Sequence, residues 1–328
     1  MNELVSSADI AAAADRIAGA VVRTPLVSFP GQSLLIKPES LQPVGAFKLR
    51  GAYAAMSALP AAARQIGVVT HSSGNHGQAV AYAAALLGMP AVVVVPDNAP
   101  AVKVAAIREL GAEIVVSAPS LAARLAATRD IATQRGAVSI PPFDDRRVIA
   151  GQGTIGLEIA ADCPGVDLVV VPVGGGGLIS GVATAVRTLC PDATVIGVEP
   201  ELAADARDSL HEGQQVAWPP EFTQQTIADA LRADQVGALP LQHMLEYVDD
   251  IVTVTEDEIT AAVRRLALEA RLIAEPGGAV AVAACLLRRK DLPAAGTTVA
   301  VLSGGNIDPG MLLDILANDP SAGPDSGE

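Results

Sequence analysis

Lys48 is the residue of this sequence best placed to act as a nucleophile. It directly follows Phe47, after a Pro-Val-Gly turn, and an apolar helix-like run begins behind it. Because a poorly hydrated ammonium is disfavoured, such surroundings lower the pKa of a lysine, and the free amine can form a Schiff base with a carbonyl. The alternative is an ordinary surface lysine at a helix start. Other parts of the chain must decide between the two.

Four consecutive glycines follow the apolar run 168–173 and precede a helix-like run: Gly174, Gly175, Gly176 and Gly177. Glycines there let backbone N–H groups converge, and the helix N-terminus adds positive potential, so the turn suits a phosphate. A tight strand-to-helix turn is the alternative, but it needs only one or two glycines. The sequence fits neither the dinucleotide fingerprint nor a Walker loop. A small phosphorylated cofactor remains, and pyridoxal phosphate fits because it also requires a reactive lysine.

Two further polar turns follow predicted strands. The turn at 71–78 offers hydroxyls, an amide and backbone N–H groups at a helix start, all of which suit a substrate carboxylate. The turn after the last strand contains Ser303, whose hydroxyl would give a pyridine nitrogen a neutral hydrogen bond without forcing its protonation. For a serine in either turn, a plain helix N-cap is the alternative role.

The bend from Glu199 to Asp205 presents oxygen ligands that could hold a hard cation such as Mg²⁺ or Ca²⁺. An acidic loop that is simply solvated is the alternative. Residues 201–225 otherwise look irregular and polar. Other catalytic patterns are missing from the sequence, because no second histidine follows His211-Glu212 at the metalloprotease spacing and no serine lies in a G-x-S-x-G elbow.

The elements that must position these residues alternate between short apolar strands and helices. This alternation predicts an α/β fold with doubly wound parallel sheets. We expect a large cofactor-binding domain from residues 1–66 and 148–317, and a small domain from residues 67–147. Residues 318–328 are rich in Asp, Pro, Ser and Gly and are expected to form a flexible tail.

The composition narrows the range of partners. The chain has 328 residues, of which 50% are hydrophobic, and a net charge of −14, so nucleic acid and anionic membranes are poor partners. No apolar run is long enough to span a bilayer. Three widely spaced cysteines and an N-terminus without signal-peptide features indicate a reducing cytoplasm.

The sequence resembles the fold type II pyridoxal-phosphate enzymes, in the serine racemase and serine/threonine dehydratase branch, whose architecture is that of the tryptophan synthase β subunit. The matching runs occur in family order: Ser-Leu-Gln-Pro-Val-Gly-Ala-Phe-Lys-Leu-Arg-Gly (40–51), His-Ser-Ser-Gly-Asn-His-Gly-Gln (71–78), Ile-Ala-Gly-Gln-Gly-Thr (149–154), Pro-Val-Gly-Gly-Gly-Gly-Leu (172–178), Asp-Asp-Ile-Val-Thr-Val (249–254), Glu-Pro-Gly-Gly-Ala (275–279) and Leu-Ser-Gly-Gly-Asn (302–306).

The resemblance implies a role for each matching site residue. Around the cofactor, Lys48 would be the Schiff-base lysine, Phe47 would pack on the ring, Asn75 would bond the ring hydroxyl, Ser303 the pyridine nitrogen, and Gly174 to Gly177 the phosphate. Glu275 also belongs to the implied cofactor site. The substrate would be bound by Ser72, Ser73, Asn75, His76 and Arg124, and a divalent cation by Glu199, the Ala203 carbonyl and Asp205.

The implied activity is a dehydratase (ammonia-lyase) that converts L-threonine to 2-oxobutanoate or L-serine to pyruvate, with release of ammonia. The same scaffold also carries serine or aspartate racemases and threo-3-hydroxyaspartate dehydratases. Ser73 is typical of the racemases and hydroxyaspartate dehydratases, whereas Phe143 is typical of the threonine dehydratases. Ala230 and the pair Gly277-Gly278 depart from the family pattern and leave the pocket shape open. The resemblance suggests a homodimer, and a non-catalytic phosphate-ligand binding protein is the remote alternative.

Overall fold

The computed structural model describes residues 3–318, and within that range the strands form a six-stranded and a four-stranded sheet. Apart from Asn318, the predicted tail at 318–328 lies outside the described residues. Every strand pair except one is parallel. The predicted α/β class with parallel sheets is therefore confirmed.

The strands, in chain order, are β1 (Val27–Ser28), β2 (Leu34–Pro38), β3 (Val68–His71), β4 (Ala91–Pro96), β5 (Glu113–Ser117), β6 (Val138–Ser139), β7 (Leu168–Pro172), β8 (Thr194–Pro200), β9 (Asp250–Val254) and β10 (Thr298–Leu302). β4, β7 and β10 are buried along their whole length. That burial on both faces explains why they appear in the sequence as continuous apolar runs rather than as alternating patterns.

The α-helices are α1 (Ser7–Ile17), α2 (Lys48–Ser57), α3 (Ala61–Ile66), α4 (Asn75–Leu87), α5 (Ala101–Glu109), α6 (Leu121–Arg135), α7 (Arg146–Asp162), α8 (Gly177–Leu189), α9 (Asp205–Glu212), α10 (Pro220–Thr223), α11 (Ala238–Tyr247), α12 (Glu256–Arg265), α13 (Pro276–Leu287) and α14 (Pro309–Ala317). Short 3₁₀ turns lie at Glu39–Leu41, Asp229–Leu231 and Arg289–Asp291, and a π turn at Leu266–Ala270. Among the described residues, no helix is long and apolar enough to cross a membrane.

The strand order of the larger sheet is β1-β2-β10-β7-β8-β9. The chain runs from β7 outward through β8 to β9, and later returns to place β10 on the other side of β7. The order therefore reverses between β7 and β10, which are neighbours in the sheet. Open α/β sheets bind ligands beyond the carboxyl ends of the strands at such a reversal.

The smaller sheet repeats this arrangement in the order β5-β4-β3-β6. Here the chain runs outward from β3 through β4 to β5, and β6 is then added on the other side of β3. The reversal lies between β3 and β6. Each sheet thus offers one ligand-binding edge.

Residues 201–225, expected to be irregular, contain helix α9 and the short helix α10. The expectation was wrong because α9 takes its N-terminal support from outside the segment. The Glu199 carboxylate, at the end of β8, accepts hydrogen bonds from the N–H groups of Ala206 (3.2 Å) and Arg207 (2.8 Å). Its own N-cap residue, Ala204, provides no side-chain bond, so the N-cap signal for a helix start is missing from the sequence.

Candidate active site

The turns that follow the strands at the two reversals face one another. The glycine turn follows β7 and Ser303 follows β10, while the turn 71–78 follows β3 and residues 140–143 follow β6. Contacts join the two edges. A Cβ atom built on Gly175 would lie 2.2 Å from Cδ1 of Phe143, so the ring of Phe143 packs directly on the glycine turn.

Lys48 begins helix α2 and lies along the wall of this crevice, where it is half-buried. Its Nζ donates a hydrogen bond to the carbonyl oxygen of Pro142 (2.7 Å) and lies 5.0 Å from the ring centroid of Phe47. The surrounding protein limits hydration of the ammonium and lowers the pKa of Lys48 to about 8, although nearby Glu275 partly opposes this. The amine is therefore far easier to deprotonate than that of a surface lysine.

The glycine turn leads into helix α8, whose N-cap is Gly176 with φ +86°. A side chain is excluded at Gly175 by Phe143 and at Gly176 by Pro240, whose Cβ would lie 2.8 Å from an added Cβ. Close packing thus accounts for part of the glycine requirement. Within the described residues, no side chain caps the first turn of α8. Its N–H groups remain suited to a phosphate, as predicted.

Ser303 is held next to the lysine segment by its backbone. Its carbonyl accepts from the N–H of Phe47 (3.0 Å), and its own N–H donates to the Gly278 carbonyl (3.3 Å). The residue is only 5% exposed, and its hydroxyl forms no hydrogen bond with the described residues. The held backbone therefore places a neutral hydroxyl beside Phe47, and the role of this hydroxyl at the pyridine nitrogen stays a prediction.

Asn75 begins helix α4 and contacts the predicted cofactor residue Glu275. Its Nδ2 donates to Oε1 of Glu275 (2.6 Å), and its Oδ1 accepts from Nδ2 of Asn306 (2.8 Å). Burial raises the pKa of Glu275 to about 8, with Asp229 adding to this and the bond from Asn75 opposing it. The sequence reasoning assigned no role to Asn306.

The predicted carboxylate-binding loop lies at the N-terminus of α4. The hydroxyl of Ser72 accepts from the N–H of Gly74 (3.2 Å), Ser73 is half-buried, and the N-cap Gly74 provides no side-chain cap. His76 is buried, and its Nε2 bonds the Ile140 carbonyl (2.9 Å). Burial, and then the charge of Lys48, lower the pKa of His76 to about 3, so His76 is neutral. The loop offers hydrogen bonds rather than a positive charge.

The structure does not join Arg124 to that loop by a hydrogen bond. Its guanidinium donates to the Pro119 carbonyl (3.2 Å) within its own segment. Its charge nevertheless lowers the pKa of His71, after burial, which is the larger cause. The role of Arg124 in substrate binding stays a prediction.

The predicted cation ligands lie together at the start of α9. Glu199 and Asp205 are both 0% exposed, as is Ala203, and neither carboxylate oxygen of Asp205 has a hydrogen-bond partner among the described residues. Burial raises the pKa of Asp205 to about 7; the nearby N–H groups of Asp205 and Val236 oppose this without meeting hydrogen-bond geometry. Burial and the neighbouring Asp205 also raise the pKa of Glu199. Glu199 accepts two backbone hydrogen bonds, but Asp205 has none, and a buried carboxylate without a partner fits a hard cation.

The sequence of residues 17–304 matches the family of pyridoxal-phosphate dependent enzymes. The chain belongs to this family. Its cofactor is therefore pyridoxal phosphate, and the crevice holds the reactive amine, the uncapped helix and the neutral hydroxyl that such a cofactor needs. The predicted tryptophan synthase β-like, fold type II architecture is also confirmed by the solved structures that resemble it.

Three similar proteins illustrate the likeness. The chain is 42% identical to the L-threonine ammonia-lyase of Geobacter sulfurreducens over 300 residues, covering 90% of this chain and 74% of the relative. A solved T.th. threonine deaminase is 42% identical, with a TM-score of 0.86, and the match covers 92% of this chain and 99% of that one. Maize serine racemase is 37% identical, with a TM-score of 0.91, and the match covers 96% and 98% of the two chains.

Two contributions to the crevice escaped the sequence reasoning. The Pro142 carbonyl holds the amine of Lys48, but a backbone acceptor has no residue signature and cannot be read from a sequence. Asn306 lies in the run 302–306, which is one of the runs that match the family, so the resemblance was a signal that could have drawn attention to it. Its partner Asn75 is 231 residues away, and only the fold brings the two amides together.

Proposed function

We propose that this protein is an L-threonine/L-serine dehydratase (ammonia-lyase). The observation that carries the proposal is the amine of Lys48, which has a pKa of about 8, bonds the Pro142 carbonyl and lies close enough to His76 for its charge to lower the pKa of that histidine. A base with a pKa near neutrality is suited to removing the Cα proton of an amino acid. The similarity to the threonine ammonia-lyase and threonine deaminase supports this reaction over other chemistry of the family.

Residues from both sides of the crevice would hold the cofactor. The first-turn N–H groups of α8 and the turn Gly174 to Gly177 would receive its phosphate, Phe47 would pack on its ring, and Asn75 would donate to its ring hydroxyl. Glu275 accepts from the Asn75 amide and so orients it, and Ser303 would offer a neutral hydroxyl to the ring nitrogen. When bound, pyridoxal phosphate supplies an electron sink for the negative charge that develops at the substrate Cα.

The remaining residues act on the substrate. The loop 72–76 and the uncapped N-terminus of α4 bind its carboxylate through neutral donors, with Arg124 adding positive potential. Lys48 takes the Cα proton, and the Pro142 carbonyl keeps the amine oriented along the crevice. Because Ser303 is neutral, it would not force protonation of the ring nitrogen, so the bound cofactor would supply a weaker electron sink. Loss of the β-hydroxyl as water would then compete well with persistence of negative charge at Cα.

The direct test is to supply the holoprotein with L-threonine and L-serine and to measure 2-oxo acid, ammonia and D-isomer separately. We expect 2-oxobutanoate from threonine and pyruvate from serine, each with one equivalent of ammonia. Formation of D-serine without 2-oxo acid would instead identify a racemase.

A racemase activity is the second candidate, because the half-buried hydroxyl of Ser73 lies in the same loop as Asn75. In this role Ser73 returns a proton to the face opposite Lys48. We predict that Ser73→Ala abolishes formation of D-isomer and leaves elimination from L-substrates within about threefold. Ser117→Ala, half-buried at the end of the edge strand β5, is the matched control. A parallel loss of both activities in Ser73→Ala would show that the serine has a different role.

The proposed function also includes a cation site, a dimeric assembly and a division into two domains. Glu199, Asp205 and the Ala203 carbonyl hold a divalent cation such as Mg²⁺, which neutralises the two buried carboxylates. The chain works as a homodimer in the cytoplasm, without nucleic acid or membrane partners, as its composition and family resemblance indicate. Residues 1–66 and 148–317 act as the cofactor-binding domain, and residues 67–147 as a smaller domain that covers the substrate.

A further inference from the structure

A chain of two side-chain amides crosses the crevice and joins four segments that carry site residues. Nδ2 of Asn306 donates to the Val44 carbonyl and to Oδ1 of Asn75, both at 2.8 Å. Nδ2 of Asn75 in turn donates to Oε1 of Glu275 at 2.6 Å. Asn306 thus connects the turn before Lys48 with the head of helix α4.

The amide of Asn306 is also fixed by close packing. A Cβ atom built on Gly45 would lie 2.3 Å from Oδ1 of Asn306, so the amide lies directly against the backbone of that turn. The turn itself is joined to the Asn306 segment, because the N–H of Gly305 donates to the Gly45 carbonyl at 2.8 Å. The side chain therefore has little freedom to rotate or to be replaced by a larger one.

The orientation of each amide follows from the acceptor at the end of the chain. The Val44 carbonyl can only accept, so the –NH₂ group of Asn306 must face it. The same –NH₂ group then faces Asn75, which must turn its oxygen toward Asn306. Its own –NH₂ group is left to face Glu275 and the crevice.

We propose that Asn306 is a positioning residue that makes Asn75 present N–H donors, rather than a carbonyl, to Glu275 and to the cofactor ring hydroxyl. The inference rests on the proposed role of Asn75 at that hydroxyl. A donor there stabilises the ionised ring oxygen, whereas a carbonyl oxygen would repel it. Asn306 would act through Asn75, because its amide donates to the Val44 carbonyl and to Asn75.

The test replaces the donor of Asn306 with acceptors. In Asn306→Asp, a carboxylate faces the Val44 carbonyl and Asn75, so the Asn75 amide turns over and directs its oxygen into the crevice. We expect the dissociation constant of pyridoxal phosphate to rise about tenfold or more. The ratio of the cofactor bands near about 410 nm and about 330 nm should fall as the ring oxygen loses its donor. Asn98→Asp, at an exposed position, is the charge-matched control.

A second variant, Asn306→Ala, removes the donors without adding charge and carries the test even if the aspartate variant fails to fold. It should weaken cofactor binding about threefold or more and move the band ratio in the same direction. Wild-type affinity and band ratio in a folded variant of either kind would overturn the inference. Its failure is distinct from failure of the proposed function, which is judged by formation of 2-oxo acid in the unmodified protein.

Discussion

Within residues 3–318, two groups of buried charged side chains are built in opposite ways. In the first group, Arg50 of helix α2 forms ion pairs with Glu39 (2.7 Å) and Glu158 (2.6 Å), and Lys37 also pairs with Glu158 (2.6 Å). At the start of α9, Glu199 and Asp205 carry the same charge, and Asp205 has no hydrogen-bond partner among the described residues.

The pKa values reflect this difference. Burial alone would raise the pKa of Glu39, but the charge and hydrogen bonds of Arg50 and the bond from Thr24 leave it lowered. At the other group, backbone N–H groups oppose the effect of burial only in part, and the pKa values of Glu199 and Asp205 stay raised. A buried group whose members satisfy one another supports the fold, whereas a group left without partners is suited to a ligand.

The largest expected effect comes from breaking the paired group. We predict that Arg50→Met lowers the free energy of unfolding by about 3–5 kcal/mol, because it leaves Glu39 charged and buried without its partner. Chemical denaturation followed by circular dichroism measures this. Arg23→Met is the control, since Arg23 is 56% exposed and its pair with Asp162 contributes about 1 kcal/mol or less. Equal losses of unfolding free energy in Arg50→Met and Arg23→Met would contradict the distinction between the buried and the exposed ion pair.

Glu275 is intermediate between the ion-paired group and the two carboxylates at α9. It is buried and accepts a hydrogen bond from Asn75, but its pKa is raised to about 8. In the folded, cofactor-free protein it keeps its proton while the unfolded chain loses it, so its contribution to stability falls as the pH rises from about 4.5 to about 8. Glu275→Gln keeps the acceptor for Asn75 and removes this titration. We predict that the free energy of unfolding of the wild type, relative to that of this variant, falls by about 2.5 kcal/mol between pH 5 and pH 7.

Urea denaturation of both cofactor-free proteins at a series of pH values gives this comparison. A constant difference across the window would mean that Glu275 titrates normally in the folded chain. If the wild type instead gained stability relative to the variant as the pH rose, the pH dependence would have the opposite sign. That result would rule out a raised pKa of Glu275.

The smallest expected effect on stability concerns the carboxylates of Glu199 and Asp205, which form no ion pair with one another. We predict that Mg²⁺ stabilises the wild type by about 1.4 kcal/mol at a concentration near ten times its dissociation constant, and that Asp205→Asn loses this response. Without the cation, Asp205→Asn should have the higher melting temperature, because one buried like charge is gone. Glu201→Gln, exposed in the same bend, should respond as the wild type does. Thermal denaturation with and without EDTA decides the outcome.

The sequence predicted well what depends on local pattern. The buried strand β7, the glycine turn and helix α8 were predicted from one apolar run and the four glycines that end it. The parallel sheets were predicted from the alternation of short apolar strands with helices. Helix α9 was missed because Glu199, outside its own segment, holds its first turn.

What depends on pairing between distant segments could not be predicted from residue types. The order of strands around β7 and β3, the Pro142 carbonyl at Lys48 and the amide chain through Asn306 all arise only when the turns meet. The resemblance supplied candidate residues for the crevice, but not the hydrogen bonds that orient them.

The central claim is that Lys48 joins covalently to pyridoxal phosphate and acts as the base. Borohydride reduction of the holoprotein, followed by peptide mass spectrometry, tests it most directly. We expect the pyridoxyl group on the peptide that contains Lys48. In Lys48→Ala that adduct should be absent and 2-oxo acid formation should fall by about 10²–10⁴-fold or more. An adduct on Lys37 or Lys103 instead, or full activity in Lys48→Ala, would contradict the claim.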